Sequence, residues 1–258
     1  MSSTSLKNDS LPDWLASSAG QYLRAWEQAY LDRAVADVFG FHALQLGFPA
    51  VDALQANRMP HRWLGCDAHP EPWPLGREVL LTNYEALPFA DASLDLLVLP
   101  HTLELSYDPH ATLREVERVL VPEGRVVICG FNPNSLWGIS KSCKRGFSEV
   151  GDFIGQHRLR DWLQLLSFEV ESTSFGCYRP AVKTERWLQR WHWMDEAGVR
   201  WWPIFGAVYG MVAVKRVQGM RLMAPAWKRS RPRSVAVVTT ASSTSNSNAV
   251  HKVFKGME

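Results

Sequence analysis

Net charge is what this chain has least of. Lys and Arg number 28 against 26 Asp and Glu, a formal charge of +2. That is too little to imply a nucleic-acid partner. Cysteine is sparse as well. The four, Cys66, Cys129, Cys143 and Cys177, include no C-x-x-C pair and no metal-ligand spacing, so no metal is expected. Cys66 and Cys129 sit inside apolar runs, where a thiol behaves as a small hydrophobe. That usage fits a reducing, cytoplasmic compartment. The longest apolar run, Trp201 to Val214, is interrupted by Pro203, Gly206 and Gly210, too short and too broken for a membrane helix. The first residues, MSSTSLKNDSLPDW, have no apolar signal core, so secretion is not expected.

Tryptophan, by contrast, is abundant. The chain has 12, and five of them fall between Trp187 and Trp202. The length of 258 residues suits one sizeable α/β domain with additions. Residues 1–10 read as a disordered leader. Residues 221–258, with KRSRPR followed by TTASSTSNSN, read as a disordered tail. A single domain is expected over 11–220, with helices at 12–39, a core at 41–217 and a Trp-rich insertion at about 178–206.

Periodicity orders the core. Leu15, Tyr22, Trp26, Tyr30, Ala34 and Val38 recur at helical spacing, with Asp13 as a cap, Gly40 as a stop and Gly20 as the place where the helix would split. Short apolar runs then follow at Phe41–Leu46, His61–Cys66, Glu78–Leu81, Leu94–Leu99 and Arg125–Phe131. Between the last two lies an amphipathic helix. Asp108 caps it, Pro109 takes the first position, and Leu113, Val116, Val119 and Leu120 line one face. Strand, helix and strand with a short return make a βαβ unit and call for a parallel sheet. A second amphipathic helix over Arg158–Leu166, a strand over Phe168–Phe175 and a last strand over Tyr209–Val217 complete the pattern.

A doubly wound sheet places its ligand at the carboxyl ends of its strands. Gly47 follows the first strand, where a glycine lets the chain turn tightly beside a ligand. Asp67 follows the second, about where such folds set a carboxylate on ribose hydroxyls. Asn83 follows the third and suits an adenine edge. Pro100 and His101 follow the fourth, and Asn132 the fifth.

The segment Glu85-Ala86-Leu87-Pro88-Phe89-Ala90-Asp91-Ala92-Ser93-Leu94-Asp95 resembles the "LPF-D-S-F-D" stretch of class I methyltransferases dependent on S-adenosylmethionine (SAM), in particular the type-11 domain. Leu113-Arg114-Glu115-Val116-Glu117-Arg118-Val119-Leu120-Val121-Pro122-Glu123-Gly124 resembles that family's "L-R-E-x-x-R-V-L-x-P-G-G". The resemblance covers roughly Ala43 to Phe175. It implies a Rossmann-like α/β fold: a seven-stranded, mostly parallel sheet, last strand antiparallel, helices on both faces; the periodicity over 12–39 adds an N-terminal helical layer. The resemblance also implies SAM as methyl donor and carries Gly47 over to the glycine loop, Asp67 to the ribose acid and Asn83 to the adenine-side polar residue; Gln45, at the loop's acidic position, and Pro100, after the fourth strand, are the other candidate cofactor contacts. The family's first loop reads acidic-x-Gly-x-Gly-x-Gly, whereas this chain reads Gln45-Leu46-Gly47-Phe48-Pro49-Ala50-Val51. Pro49 offers no N–H and Val51 adds bulk.

Methyl transfer needs alignment more than covalent help, and a neutral acceptor must also lose a proton. His101 is the first candidate for that base and His157 the second. Asn132, Trp191 and Trp202 are candidate acceptor contacts, since aromatics interleaved with Arg can hold a flat or lipid-like molecule or meet a membrane surface. The expected function is methylation of a small or hydrophobic acceptor. The altered glycine loop leaves a second reading, a catalytically silent binding or scaffold domain. Nucleic-acid methylation is a third. Low charge argues against it, and Asn132-Pro133-Asn134-Ser135 only begins like the motif for base methylation. The basic stretch Lys141–Arg145 reads as a solvated loop.

Overall fold

The computed structural model describes residues 11–70, 76–139, 153–181 and 185–216. The expected leader, the basic stretch Lys141–Arg145 and the expected tail lie outside them.

The chain begins with α1 (Leu11–Ala16) and α2 (Ser18–Ala36). The break falls at Ser17 and not at Gly20, because the Ser17 side chain caps α2 by accepting from the Gly20 N–H at 3.2 Å. Gly20 serves the corner differently: a Cβ there would stand 2.5 Å from the Leu15 Cα. Asp13 falls inside α1, and α2 ends at Ala36, short of Gly40.

Five parallel strands follow: β1 (His42–Leu46), β2 (His61–Cys66), β3 (Glu78–Leu81), β4 (Leu94–Pro100) and β5 (Leu120–Phe131). Between β4 and β5 stand α3 (Thr102–Leu105) and α4 (Pro109–Val119). After β5 come α5 (Leu136–Ile139), α6 (Gln156–Leu165), β6 (Phe168–Gly176), α7 (Glu185–Arg190), α8 (Trp193–Trp201), a 3-10 turn (Pro203–Phe205) and β7 (Val208–Lys215). The sheet order is β3-β2-β1-β4-β5-β7-β6, with β7 antiparallel to both neighbours.

The helix α4 follows directly from its sequence. Asp108 accepts from the N–H groups of His110 and Ala111, and Pro109 opens the helix. Leu113, Val116 and Val119 are fully buried, each contributing about 1.5–3 kcal/mol relative to exposure. The helix passes straight into β5, because Leu120 already pairs with Leu94 on β4. The two motif segments are tied to each other. Arg118 donates to the carbonyls of Phe89 (2.9 Å) and Leu87 (3.1 Å) and to Asp91 (2.6 Å), while Glu115 accepts from the Leu87 N–H (3.0 Å). Their first business is structural.

Strand residues alternate between two apolar layers, as period two requires. Leu44, Leu97, Leu99, Val126 and Ile128 face α4 and α6. Ala43, Leu96, Val98, Val127 and Cys129 face α2. The crossover from β1 to β2 holds turns and no helix. Its Phe48, Val51, Ala53, Leu54 and Met59 join α2 in covering that face, so the N-terminal helices supply a layer of the sandwich itself. The aromatic stripe of α2 explains how it docks. Trp26 and Tyr30 stack on each other at 5.4 Å, and a Cβ on Gly176 of β6 or Gly210 of β7 would strike them at 1.9 and 2.2 Å.

Candidate cofactor and acceptor site

The carboxyl ends of β1, β2 and β3 meet at Tyr84. Gly47 turns the chain after β1 with φ 69, and Phe48 continues the turn with φ 46. A non-glycine residue in that region costs about 1–3 kcal/mol and persists only where its surroundings enforce it. Here Phe48 is buried, its ring edge-on to that of His101 with the ring centres 5.1 Å apart. Asp67, just past β2, is exposed. Its carboxylate accepts from the Tyr84 hydroxyl (3.2 Å), and its N–H donates to the same oxygen (3.4 Å). Burial, then the Asp67 charge, push the Tyr84 pKa well up, so the hydroxyl stays a donor. Asp67, Asn83, Tyr84, Glu85, Leu105, Ser106 and Tyr107 line a cleft of about 470 Å³.

Gln45, near the end of β1, is fully buried. Its amide donates to the carbonyls of Gly47 (3.1 Å), Phe48 (3.2 Å) and Val51 (3.0 Å). Its oxygen accepts from the Ala53 N–H (3.0 Å) and from Arg77. A carboxylate could not donate to three carbonyls, so the amide is what this loop, poor in glycine and lacking a following helix, requires. Pro100 ends β4 beside Cys129, buried.

His101 is 2 % exposed, with φ 55. Its Nδ1 meets Glu104 Oε2 at 2.8 Å and its Nε2 meets Glu27 Oε1. The Phe131 ring stacks on it at 4.1 Å. Burial alone pushes this imidazole down, but the Glu27 charge and the hydrogen bonds to Glu104 and Glu27 outweigh it and hold the pKa up to about 10. Burial pushes the Glu104 carboxyl up, against its bonds to His101 and to the Phe131 N–H (2.6 Å).

The sequence-derived positions therefore fall in separate places. Asp67 and Asn83 share the cleft, with Gly47 behind Tyr84. Gln45, Pro100 and His101 are buried supports of the strand ends. Asn132 is buried at the end of β5, where its amide donates to the carbonyls of Ile204 (2.7 Å) and Gly206 (2.9 Å). It fastens the Pro203–Phe205 turn and has no N–H left for an acceptor. Trp191 and Trp202 are half-buried, each 6.1 Å from its neighbour Trp193 or Trp201. His157 is exposed on the first turn of α6 beside Gln156.

Tyr84, Ser106, Glu104 and Glu27 were not singled out from the sequence. Tyr84 sits one residue past a strand-end polar position, the only signal it offers. Glu27 carries none, since an acidic residue within an N-terminal helix reads as solvated. Among the described residues no cluster of His, Cys, Asp and Glu could hold a metal, and no helix is long and apolar enough to cross a membrane.

Residues 47–128 match the family described as "Methyltransferase domain" (Methyltransf_11). The chain is 36 % identical over 137 residues to protein YafS of Escherichia coli, covering 52 % of this chain and 55 % of that one. It is 34 % identical over 91 residues to malonyl-[acyl-carrier protein] O-methyltransferase 1 of Coxiella burnetii, covering 35 % and 32 %. The matches thus span about half and about a third of the lengths of these relatives. A SAM-dependent methyltransferase from Archaeoglobus fulgidus superposes with a TM-score of 0.55 at 17 % identity, over 76 % of this chain and 96 % of that one. One from Mesorhizobium loti gives 0.52 at 15 %, over 73 % and 97 %. These two show the shared fold. Residues 47–128 are thus similar to the type-11 methyltransferase domain, within the fold that these two structures share.

Proposed function

We propose that the chain binds SAM in the Asp67 cleft and transfers its methyl group to a small or hydrophobic acceptor. One observation carries this. The Asp67 carboxylate stands exposed at the end of β2, oriented by Tyr84, on a cleft that also holds Asn83 and Ser106. Two carboxylate oxygens suit a pair of ribose hydroxyls, and Asn83 and Ser106 offer polar groups to a base. SAM supplies a methyl already activated by its sulfonium. What remains for the protein is alignment and exclusion of water.

His101 has both ring nitrogens engaged by carboxylates, so its part is to hold the strand ends. A carboxylate acceptor, as the name of the Coxiella relative suggests, would need no base at all. Asn132 contributes by anchoring the turn that carries Ile204 and Phe205, and Trp191 and Trp202 lie in the segment leading to that turn. The partner is a small or lipid-like molecule.

A second reading, a binding domain without turnover, draws on the amide of Gln45 at the family's acidic position. Calorimetry with SAM and S-adenosylhomocysteine, followed by methyl transfer to an acyl-carrier-linked carboxylate, tests both. Binding with turnover supports the enzyme, and binding without turnover on any acceptor supports the silent domain. No heat at millimolar ligand removes the SAM site.

A further inference from the structure

The buried group of charges around His101 joins four parts of the chain that are distant in sequence. Glu27 comes from α2, His101 and Glu104 from the junction of β4 with α3 and from α3 itself, and Phe131 from the end of β5. Phe48, from the loop after β1, closes the ring's edge. Both imidazole nitrogens face carboxylate oxygens, and a carboxylate only accepts. Between two ionised carboxylates the ring must donate twice, which only the doubly protonated form can do. Glu27 is fully buried, and its second oxygen, Oε2, has no hydrogen-bond partner among the described residues. An ionised carboxylate so placed needs the adjacent cation to remain ionised.

The other titratable groups facing this cluster carry no charge of their own. Cys129 on β5 and Cys177 beyond β6 face Glu27, and Tyr209 on β7 faces Glu104. Burial pushes all three pKa values well up, so they stay neutral.

We propose that Glu27 and His101 form a charged latch that docks the N-terminal helix onto the cofactor end of the sheet, with His101 held as an imidazolium between two carboxylates. The latch is a positioning device. Through the ring it holds Phe48, and through Phe48 it holds the left-handed turn at Gly47. Through the next residue it holds β1, since the Thr102 hydroxyl donates to the Leu46 carbonyl. Helix docking and the shape of the cofactor loop are therefore one event. Its bearing on methyl transfer rests on the reading of the Asp67 cleft as the SAM site.

The test uses the full chain. Long-range ¹H–¹⁵N correlation spectra, with His101 assigned through its contact with the Phe131 ring, report the ring's protonation. A doubly protonated ring at pH 8 is expected. A neutral ring at pH 7 overturns the latch, whatever any variant does. In Glu27→Gln, which keeps an acceptor and removes the charge, the α2 amides should exchange faster by about tenfold or more, and SAM affinity should fall by about the same factor. Glu27→Asp should preserve the charged ring. Unchanged exchange in Glu27→Gln overturns the docking role, and faster exchange with unchanged SAM affinity overturns the coupling to the site. If the wild type binds no SAM, the cleft reading fails alone, since the ring signal and exchange still decide the latch. If Glu27→Gln does not fold, the wild-type spectrum decides.

Discussion

The Tyr84 hydroxyl stands 3.1 Å from where a side chain on Gly47 would begin. The same oxygen holds Asp67, so the first two strand ends are gauged against one atom. Gly47 also has φ 69, which an alanine adopts only at a cost. Gly47→Ala should therefore lose about 1–3 kcal/mol of stability and shift Asp67. Chemical denaturation and SAM calorimetry on the same protein would check this. An alanine variant equal to wild type in both measurements would refute the gauge.

Asp67 and Tyr84 should separate in their effects. Asp67→Ala removes the acceptor of the ribose hydroxyls and should weaken SAM binding by about 1–3 kcal/mol. Asp67 is exposed, so little stability should be lost. Tyr84→Phe leaves the carboxylate in place without its orienting donor. A smaller loss, about 0.5–1.5 kcal/mol, is expected. Equal losses from both variants would mean that Tyr84 itself touches the cofactor.

Gln45→Glu restores the charge type that the family resemblance implies, yet it should harm this chain. The carboxylate cannot donate to the carbonyls of Gly47, Phe48 and Val51; the last two keep only long bonds, from the Val51 N–H (3.4 Å) and Arg77 (3.5 Å). Each such loss costs about 1–3 kcal/mol, partly offset by attraction to Arg77. Thermal unfolding should fall by several degrees. A variant more stable than wild type would show that the loop can rearrange around a carboxylate.

Stability should respond to alkaline pH through His101. Its folded pKa is pushed up to about 10, above the unfolded value of about 6.5. A group raised on folding contributes stability that is complete below the unfolded value and lost as pH rises through the folded one. Wild type should thus lose stability progressively between roughly pH 6.5 and 10. Glu27→Gln should lose less over that interval, having less to lose. Parallel denaturation curves across the range would contradict this assignment of charge.

Much of this architecture was legible in the chain, and the reasons differ by element. The start of α4 could be read because Asp108-Pro109 is a local signal, satisfied by bonds within one turn. The strands β2 and β3 could be read because short apolar runs were bounded by polar residues. The helix α2 was legible only in outline. Its stripe of Tyr22, Trp26 and Tyr30 does pack inward, but Leu23, Glu27, Leu31 and Val35 are the fully buried set. A glutamate among them makes sense only once His101 is placed opposite it. The site divides the same way. Asp67 and Asn83 follow from strand ends, whereas Tyr84 depends on the angle at which β3 releases the chain. Gln45 reads as a departure from a pattern until the missing helix after β1 gives its amide three carbonyls to satisfy.

Trp26 and Tyr30 rest on glycines that belong to β6 and β7. During synthesis, α2 leaves the ribosome long before either strand exists. Its apolar face must wait, exposed, until nearly the whole domain has emerged, a topology that slows folding and favours association with chaperones. Truncation before β7 should therefore leave an aggregation-prone chain and not a smaller working domain.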